Sequence, residues 1–320
     1  MKRLFRISMF LTMALVALSC ERVVFNEMTD GQQESDEDGV QVTLRVNRLE
    51  GSLSMNATAE TRAVVDVADL CSRLNFVVYQ DGEKVKGINQ SVSDDDFGTV
   101  SLTLAKGTYQ LLVLAHSGKS NPTLSDPTKI AFTNTGTYYS DTFYYYGELE
   151  VGDDEGQIHN LSLERAVSMF RLVITDEKPA NIQKIRIYYT GGSGTLNAVT
   201  GFGCVDSKQY VMYDVSEMTS PIELEAYTFL HDAEGSLFIN VTAYSNEGVE
   251  QERAFEAVPM KRNYITQYSG PFFTGSNPDT PVVPDNPDNP DNPGGGGGEA
   301  DGQLSVKLDA DWGGQSDYTF

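Results

Sequence analysis

The feature that most restricts the fold is a two-residue alternation of apolar and polar side chains that recurs in short segments. Val40, Val42, Leu44 and Val46 are separated by polar residues, and successive residues of a strand face opposite sides of a sheet. Glycine-containing turns such as Asp81-Gly82 lie between such segments. The other predicted strands cover residues 74–79, 100–104, 109–115, 143–151, 158–163, 168–174, 185–189, 222–229, 237–244 and 264–268. Many short strands without helical crossovers predict an all-β protein built of antiparallel β-sandwiches.

The predicted strands extend over more chain than one sandwich requires. Residues 39–273 amount to roughly 230 residues, whereas an immunoglobulin-like sandwich takes about 100. We therefore predict two β-sandwich domains, at residues 39–165 and 166–273.

The C-terminal part of the chain predicts a linker followed by one isolated strand. Residues 274–302 contain repeated Pro-Asp-Asn units and then five glycines, which predicts a stiff, extended part and a flexible part. In residues 303–313 the apolar residues alternate with polar ones: Leu304, Val306, Leu308, Ala310 and Trp312. Because a lone strand is not stable, this segment is predicted to act as a latch on its own domain or as a donor to a neighbouring molecule.

The N-terminus predicts export and lipid attachment. Lys2, Arg3 and Arg6 precede a short apolar run that ends at Ser19-Cys20, the pattern of a secretory signal rather than of a membrane span. The end of this signal, residues 15–20, also resembles a bacterial lipobox, so residues 1–19 are predicted to be a lipoprotein signal and Cys20 the acylated residue. Acyl chains on Cys20 would hold the protein in a membrane. Residues 20–38 are predicted to be an acidic, unfolded tether, because the part from Glu27 to Asp38 is rich in acidic residues and glutamine and has almost no apolar side chain.

The charge of the chain argues against nucleic acid as a partner. The net charge is −23. Three of the 23 Lys and Arg residues lie in the leader, which leaves 20 against 46 Asp and Glu, a net charge of −26 for the remainder. Such a surface repels phosphate backbones and anionic bilayers.

The sequence contains no recognisable catalytic or metal motif. Residues 191–194 are glycine-rich but lack the Lys-Ser/Thr of a phosphate loop, and they are interpreted as a hairpin loop. His116, His159 and His231 lie in unrelated segments. We therefore expect no enzymatic activity, no catalytic residue, no cofactor and no metal site.

Two cysteines remain once Cys20 is acylated. Cys71 and Cys204 are far apart in sequence and form no metal or redox spacing. Burial of both in the core is expected, and a single bridge between them stays open.

An aromatic stretch is the remaining distinctive feature. Its members are Tyr138, Tyr139, Phe143, Tyr144, Tyr145 and Tyr146. Aromatic residues favour strands and pack at interfaces, and a stacking platform for sugars is the alternative.

Several segments, taken in order, resemble Bacteroidales fimbrillins, the subunits of type V pili. The segments LNFVVYQDG at 74–82 and LAKGTYQLLVLAH at 104–116 resemble the fimbrillin N-terminal domain. DTFY at 141–144 and LSLERAVSMF at 161–170 resemble the strand pair that closes it, and KRNYIT at 261–266 with Gly270 resembles a late strand of the second domain. The resemblance spans residues 40–273, and the chain is similar in particular to anchor and minor-subunit lipoproteins of the Fim and Mfa type.

The resemblance implies a pilus subunit with two transthyretin-like domains at the outer membrane. In polymerising fimbrillins an arginine-specific protease removes the first strand, and a terminal strand of another subunit fills the groove. By this resemblance Cys20 is the lipidated position and Arg62, followed by Ala63, is the candidate cleavage site. Val40, Val42, Leu44 and Val46 then belong to the removable strand. A plain loop arginine at Arg62 and an uncut anchor subunit remain open.

Two classes of function follow from these patterns. The first is a non-enzymatic anchor, minor or stalk subunit of a fimbrium, which assembles with other fimbrial subunits by strand complementation and mediates adhesion to a host or bacterial surface receptor. The alternative is a surface glycan-binding lipoprotein whose tyrosines form the platform. In both cases the protein is expected at the cell surface, anchored in the outer membrane.

Overall fold

The computed structural model describes residues 39–49, 67–132, 139–154, 156–274 and 312–320. These residues belong to one compact unit, Asp38–Phe320. The predicted signal, tether and linker lie outside the described residues, apart from Thr274. Across the described ranges, no helix has the length and apolar character needed to cross a bilayer.

The first half of the unit is a β-sandwich of two packed sheets. One sheet has the order β4-β1-β8 and the other β3-β2-β5-β7, and they join where Phe143 and Tyr144 pair with Arg165 and Glu164. A core of apolar side chains from both sheets lies between them. The elements are β1 (Val40–Leu49), α1 (Val67–Leu70), β2 (Arg73–Gln80), β3 (Glu83–Ser91), β4 (Thr99–Leu104), β5 (Gly107–His116), β6 (Ile130–Ala131), β7 (Thr142–Val151) and β8 (Gln157–Arg165).

The second half is another sandwich, with sheets of order β13-β10-β15-β16 and β14-β9-β17-β18. Its core is a separate cluster of apolar side chains. A small sheet, β12-β11-β6, and a third apolar cluster connect the two halves. The elements are β9 (Ser168–Ile174), β10 (Lys184–Ser193), β11 (Thr195–Asn197), β12 (Phe202–Gly203), β13 (Asp206–Asp214), β14 (Ile222–Thr228), β15 (Glu234–Tyr244), β16 (Val249–Lys261), β17 (Tyr264–Gly270) and β18 (Gly314–Thr319).

The predicted all-β sandwich class is confirmed, and the strand directions add a detail that the alternation did not supply. Most neighbouring strands run antiparallel, but within the described residues β1 runs parallel to β8, and β17 runs parallel to both β9 and β18. The strands β2 and β3, which flank the predicted turn at Asp81-Gly82, pair antiparallel. At Asp81-Gly82 both residues have positive φ, 53° and 85°, as a tight two-residue hairpin requires.

Two sequence-based expectations are wrong. The glycine-rich residues 191–194 do not form a separate hairpin loop, because residues 191–193 end strand β10, with a register shift between Tyr189 and Gly192. A Cβ atom on Gly192 would collide with the Thr228 side chain, so close packing explains this glycine. Cys204, expected in the core, is exposed, and its Sγ donates to the Thr128 carbonyl at 3.5 Å. Cys71 is buried as expected, and both thiols are free.

One polar network is buried inside the first sandwich. His116 is fully buried, its Nδ1 accepts the Gly118 N–H at 3.0 Å, and its Nε2 contacts Asn75 Oδ1 at 3.0 Å. The Asn75 amide donates to Asn89 and Asn121. The proton of the neutral ring therefore lies on Nε2. Burial, with a smaller contribution from the charge of Arg73, lowers the pKa of His116 to about 4.

This network makes stability depend on pH. Between the ordinary histidine pKa of 6.5 and the folded value of about 4, the unfolded chain binds a proton that the folded chain does not. The free energy of unfolding contributed by His116 is therefore fully present above pH 6.5. It falls as the pH is lowered toward 4, by about 3 kcal/mol in total. NMR titration of the ring should give a pKa near 4.

His116→Asn, compared with the wild type, should flatten the dependence of urea stability on pH between 6.5 and 4.5, because the side chain that replaces the imidazole does not titrate. A His116 ring that titrates near its ordinary value would contradict the prediction.

Candidate functional site

The first and last described strands of the chain are the candidate functional elements. Of the predicted site residues, Cys20, Arg62 and Ala63 lie outside the described residues, as does the predicted terminal strand from Leu304 through Val306, Leu308 and Ala310. The structure describes Val40, Val42, Leu44, Val46 and Trp312.

β1 lies in the middle of a sheet rather than at its edge. Val40 to Arg45 pair with Leu104 to Thr99 of β4, and Val42 to Leu49 pair with Gln157 to Leu163 of β8. Val40 is 5% exposed, Val42 and Leu44 are fully buried, and Val46 packs against the same core while partly exposed. Loss of β1 would therefore leave two unpaired strand edges and an apolar groove between them.

The described C-terminal strand lies directly after the segment 303–313 in which the alternation predicts a strand, and of that segment the structure describes only Trp312 and Gly313. β18 covers Gly314–Thr319, and it begins where the predicted segment 303–313 ends. Among the six residues of β18 only Tyr318 has a large apolar side chain, so no alternation of apolar and polar residues predicts this strand. β18 pairs in parallel with β17, from Tyr264↔Gly314 to Ser269↔Thr319.

Aromatic side chains fasten β18 to the core of the second sandwich. The Tyr318 ring lies 4.8 Å from that of Tyr268, and the Phe320 ring lies edge-on to Phe255 at 5.0 Å. These contacts bury part of both terminal rings against the core. The terminal strand is thus seated on its own chain by backbone pairing and by two aromatic anchors.

Trp312 connects the terminal segment to the junction between the two sandwiches. Its ring lies 4.0 Å from the guanidinium carbon of Arg165, and Phe143 approaches the same carbon at 4.6 Å. The Trp312 ring is also 6.2 Å from that of Tyr227. Both Trp312 and Phe143 therefore make cation–π contacts with one buried arginine.

Arg165 itself is 1% exposed and bound on every side. Its Nε and Nη2 donate to the two carboxylate oxygens of Asp141 at 2.7 and 2.8 Å, and Nη1 donates to Asn263 Oδ1 at 2.9 Å. Arg262 Nε donates to the Arg165 carbonyl. Burial raises the pKa of Asp141, and the hydrogen bonds and charge of Arg165 oppose that shift. A bidentate pair of this kind suits a buried guanidinium.

Asp176 fixes the point at which the chain leaves the second sandwich. Its carboxylate accepts the N–H groups of Phe272, Phe273 and Thr274 at 2.7–2.8 Å and the Thr274 hydroxyl at 3.0 Å. Although burial opposes it, these hydrogen bonds lower the pKa of Asp176. Residues 272–274, where the predicted linker begins, are therefore held by hydrogen bonds to Asp176.

The outer edge of β14 is closed by tyrosine hydroxyls. Tyr213 OH donates to the Glu225 carbonyl at 2.5 Å and accepts the Glu225 N–H at 3.1 Å. Tyr189 OH donates to the Tyr227 carbonyl at 2.8 Å. Three backbone groups of β14 that could pair with another strand are thereby occupied. In the same sheet, the opposite edge is the one that carries β18.

The aromatic stretch of the sequence packs inward, apart from Tyr138, which lies outside the described residues. Phe143 is fully buried, Tyr144 is 9% exposed, and Tyr145 and Tyr146 contact apolar clusters. Packing therefore accounts for these rings, whereas Tyr139 reaches a cleft of the second sandwich. In the part of the chain that the structure describes, no group of three or more His, Cys, Asp or Glu residues is placed to hold a metal ion.

Sequence reasoning missed Arg165 and Tyr213. Arg165 was noticed only within the fimbrillin-like segment, and nothing local marks it as the partner of Trp312. The available signal was the position of Arg165, directly before the apolar residues that lead into β9. An arginine buried between two core strands needs a carboxylate or another hydrogen-bond acceptor as its partner.

Comparison with known proteins gave one family and several structures. The model of a family described as a family of unknown function (DUF6562) matches residues 33–316. A search of curated proteins found no match.

Among solved structures, the chain is similar to a candidate adhesin from Bacteroides ovatus, with 14% identity, a TM-score of 0.45, and coverage of 69% of this chain and 83% of that one. It is similar to the tip fimbrial protein Mfa3 from Porphyromonas gingivalis with C-terminal truncation, at 13% identity and TM-score 0.37, covering 68% and 81%. It is also similar to the fimbrial anchor protein Mfa2 from Porphyromonas gingivalis, at 11% identity and TM-score 0.38, covering 64% and 78%.

Removal of the Trp312 ring should loosen the terminal strand. We expect Trp312→Ala to lower the free energy of unfolding by about 1–2 kcal/mol, because a cation–π contact and partly buried apolar area are lost. Amide hydrogen exchange in 314–319 should accelerate. Thr319→Ala, at an exposed position of β18, is the control and should change neither quantity. Unchanged exchange in Trp312→Ala would show that the ring does not hold the strand.

Removal of one hydroxyl should reopen the edge of β14. In Tyr213→Phe the Glu225 N–H and C=O lose their partner, so we expect self-association that rises with protein concentration in light scattering. Tyr210→Phe, with an exposed ring on the same strand, should stay monodisperse. Equal behaviour of the two variants would mean that the hydroxyl does not protect the edge.

Proposed function

The chain belongs to the DUF6562 family, whose function is unknown, and we propose that it is a non-enzymatic subunit of a surface fimbrium that assembles by β-strand complementation. One observation carries the proposal. The first strand, β1, is paired with β4 on one side and with β8 on the other, with Val42 and Leu44 fully buried.

The position of β1 suits a strand that can be replaced. It contributes six paired residues to β4 and seven to β8, and its apolar face repeats every second residue. A strand with the same alternation could occupy the groove after β1 has left. The chain carries such a sequence at Leu304, Val306, Leu308 and Ala310, and this segment is the proposed donor.

Because β18 is paired with its own chain, the proposal gives β18 and the donor residues 303–312 different roles. β18 holds the end of the chain on its own second sandwich, Trp312 packs on Arg165 at the end of β8, and Asp176 binds residues at the beginning of the linker. The segment 275–311 is thus attached at both ends. Donation of residues 303–312 to another molecule requires that Trp312 leave Arg165, so the Arg165–Trp312 contact is proposed to keep the donor in place until assembly.

Lipid attachment at Cys20 and cleavage after Arg62 complete the proposal. An acylated chain that keeps β1 would serve as the anchor in the outer membrane, and a chain that begins at Ala63 would serve in the stalk. Mass spectrometry of the N-terminus of native surface protein distinguishes these roles. Adhesion to a surface receptor is proposed as the purpose of the assembled fimbrium.

The test is peptide capture after cleavage at Arg62. Wild-type protein cut by an arginine-specific protease should bind a fluorescent peptide with the sequence of residues 303–312, because β1 is then no longer covalently attached. The Arg62→Ala protein, treated in the same way, should not bind it. Fluorescence anisotropy reports the binding.

A second peptide controls for unspecific association. In it, aspartate replaces the residues corresponding to Leu304, Val306 and Leu308, which removes the apolar face. Binding of the natural peptide alone supports complementation. If cut wild-type protein ignores the natural peptide, or binds both peptides equally, the proposed function is wrong.

A further inference from the structure

One edge of the second sandwich is open to another strand. β13 is the outermost strand of its sheet, and the described residues contain no strand on its far side. From Gln209 to Asp214 it pairs with β10 in an unbroken antiparallel register, Tyr189 to Lys184. An outermost strand presents backbone N–H and C=O groups along its open edge. β13 can therefore pair with a further strand while its own sheet stays as it is.

β13 is better suited to such pairing than the other outermost strands. At the edge of β14, tyrosine hydroxyls occupy backbone groups. β16 contains Pro259, which has no N–H to donate, and Ala257 with a φ of 52°. β3 is exposed on both faces over residues 83–87, and β4 and β18 have six residues each. β13 has nine residues, and one of its faces packs against a core.

The two faces of β13 carry different side chains. On the outer face, which is turned away from the β14 sheet, the residues alternate from Lys208 through Tyr210 and Met212 to Asp214. On the inner face, Val211 and Tyr213 pack against the core of the second sandwich. Beside them a tyrosine cleft of about 230 Å³ separates the two sheets, with Tyr139, Tyr189 and Tyr227 in its lining. A strand that pairs with β13 thus meets charged and aromatic groups on one face and apolar groups on the other.

The sequence of β13 is complementary to itself. Two copies of the strand can run antiparallel with Val211 of one copy opposite Val211 of the second. In this register Lys208 lies opposite Asp214, and Tyr210 lies opposite Met212, and each contact occurs twice because a two-fold axis relates the copies. Side chains that lie directly opposite each other share a face, with Cβ atoms about 4.5–5.5 Å apart.

The charges of the outer face select this register. Asp214 lies opposite Lys184 of β10 in its own chain, so Lys208 of the second copy would continue a row of alternating charges. A shift by two residues in one direction would place Asp206 opposite Asp214, and a shift in the other direction would place Lys208 opposite Ser216. Hydrogen bonds from Ser216, aided by the charge of Lys184, lower the pKa of Asp214, which keeps its carboxylate ionised at neutral pH.

The middle of the outer face supplies apolar contact for the same register. Tyr210 is 37% exposed and lies opposite Tyr188 of β10, while Met212 lies opposite Arg186. Pairing would place the Met212 thioether of one copy against the Tyr210 ring of the other, a favourable sulfur–aromatic contact. The exposed area of Tyr210 would be buried at the centre of the contact, between the two charge pairs.

We propose that the protein forms a symmetric dimer in which β13 of two copies pair antiparallel about Val211 and join their two four-stranded sheets into one. Lys208 and the aspartates at both ends of β13 oppose pairing with unrelated strands, whereas in the self-paired register Lys208 lies opposite a carboxylate. The edge is distinct from β1 and from the terminal strand, so the proposal does not depend on strand exchange.

The experiment is a charge exchange on the intact chain, uncut at Arg62, with sedimentation equilibrium as the measurement. We expect a monomer–dimer equilibrium for the wild type. Lys208→Glu and Asp214→Lys should each weaken the dimer about tenfold or more, because each change places like charges opposite each other twice. An equimolar mixture of the two variants should form a dimer again, since opposite charges then face each other at both positions.

The mixture also shows that each variant is folded, because only a folded β13 edge can pair. The matched control is Lys86→Glu, which makes the same charge change at an exposed lysine of β3 and should leave the dissociation constant unchanged. The proposal is overturned if the wild type is monomeric at every concentration up to about 1 mM, if the mixed variants associate no better than each alone, or if Lys86→Glu weakens the dimer as much as Lys208→Glu. Because no strand is displaced here, a negative result leaves the peptide-capture test unaffected.

Discussion

The buried guanidinium of Arg165 is the contact on which the arrangement of the molecule depends. One side chain binds Asp141 of the first sandwich through two hydrogen bonds, Asn263 of the second through a third, and lies between Phe143 and the terminal Trp312. Removal of one partner from a buried ion pair typically costs about 3–5 kcal/mol. Both sandwiches and the end of the chain therefore contact one side chain. Release of Trp312 would expose the buried charge of Arg165 to water.

The way in which neighbouring strands and side chains cover the strands of each sheet bears on the proposed function. On one side of the second sandwich, tyrosine hydroxyls occupy the backbone groups of β14. On the other side, β18 covers β17 by parallel pairing. In the first sandwich, β1 is an interior strand that pairs with β4 on one side and with β8 on the other. β1 and β18 are the first and last strands that the structure describes, whereas the hydroxyls at the edge of β14 come from β10 and β13. The proposed strand exchange at β1 and the occupied edge of β14 thus concern different parts of the fold.

The sequence predicted the interior strands well and the edge strands poorly. β1, β5 and β9 were found because burial on one or both faces imposes an alternating or continuous apolar pattern. β3, β13, β16 and β18 were missed, and all four are outermost in their sheets, where charged and polar residues replace the apolar ones. The outermost strands β4 and β14 were predicted, because their buried residues alternate with more exposed ones. Trp312 was singled out by alternation, but its partner Arg165 could not be, because their contact joins distant parts of the chain. The exposure of Cys204 and the tyrosine cleft depend in the same way on the packing of remote segments.

Disulfide trapping in native surface material tests strand complementation most directly. Thr43 of β1 faces Ser101 of β4, with their hydroxyls 3.3 Å apart, so Ser101→Cys reports which chain occupies the groove. It is combined with Ser305→Cys, Lys307→Cys or Asp309→Cys, one at a time, in a Cys204→Ser background. Thr43→Cys with Ser101→Cys serves as the intrachain reference. The account predicts a ladder of covalent multimers from at least one of the three pairs after oxidation on cells. Monomer alone from all three pairs, together with a complete intrachain bond in the reference, would show that β1 never leaves and would contradict it.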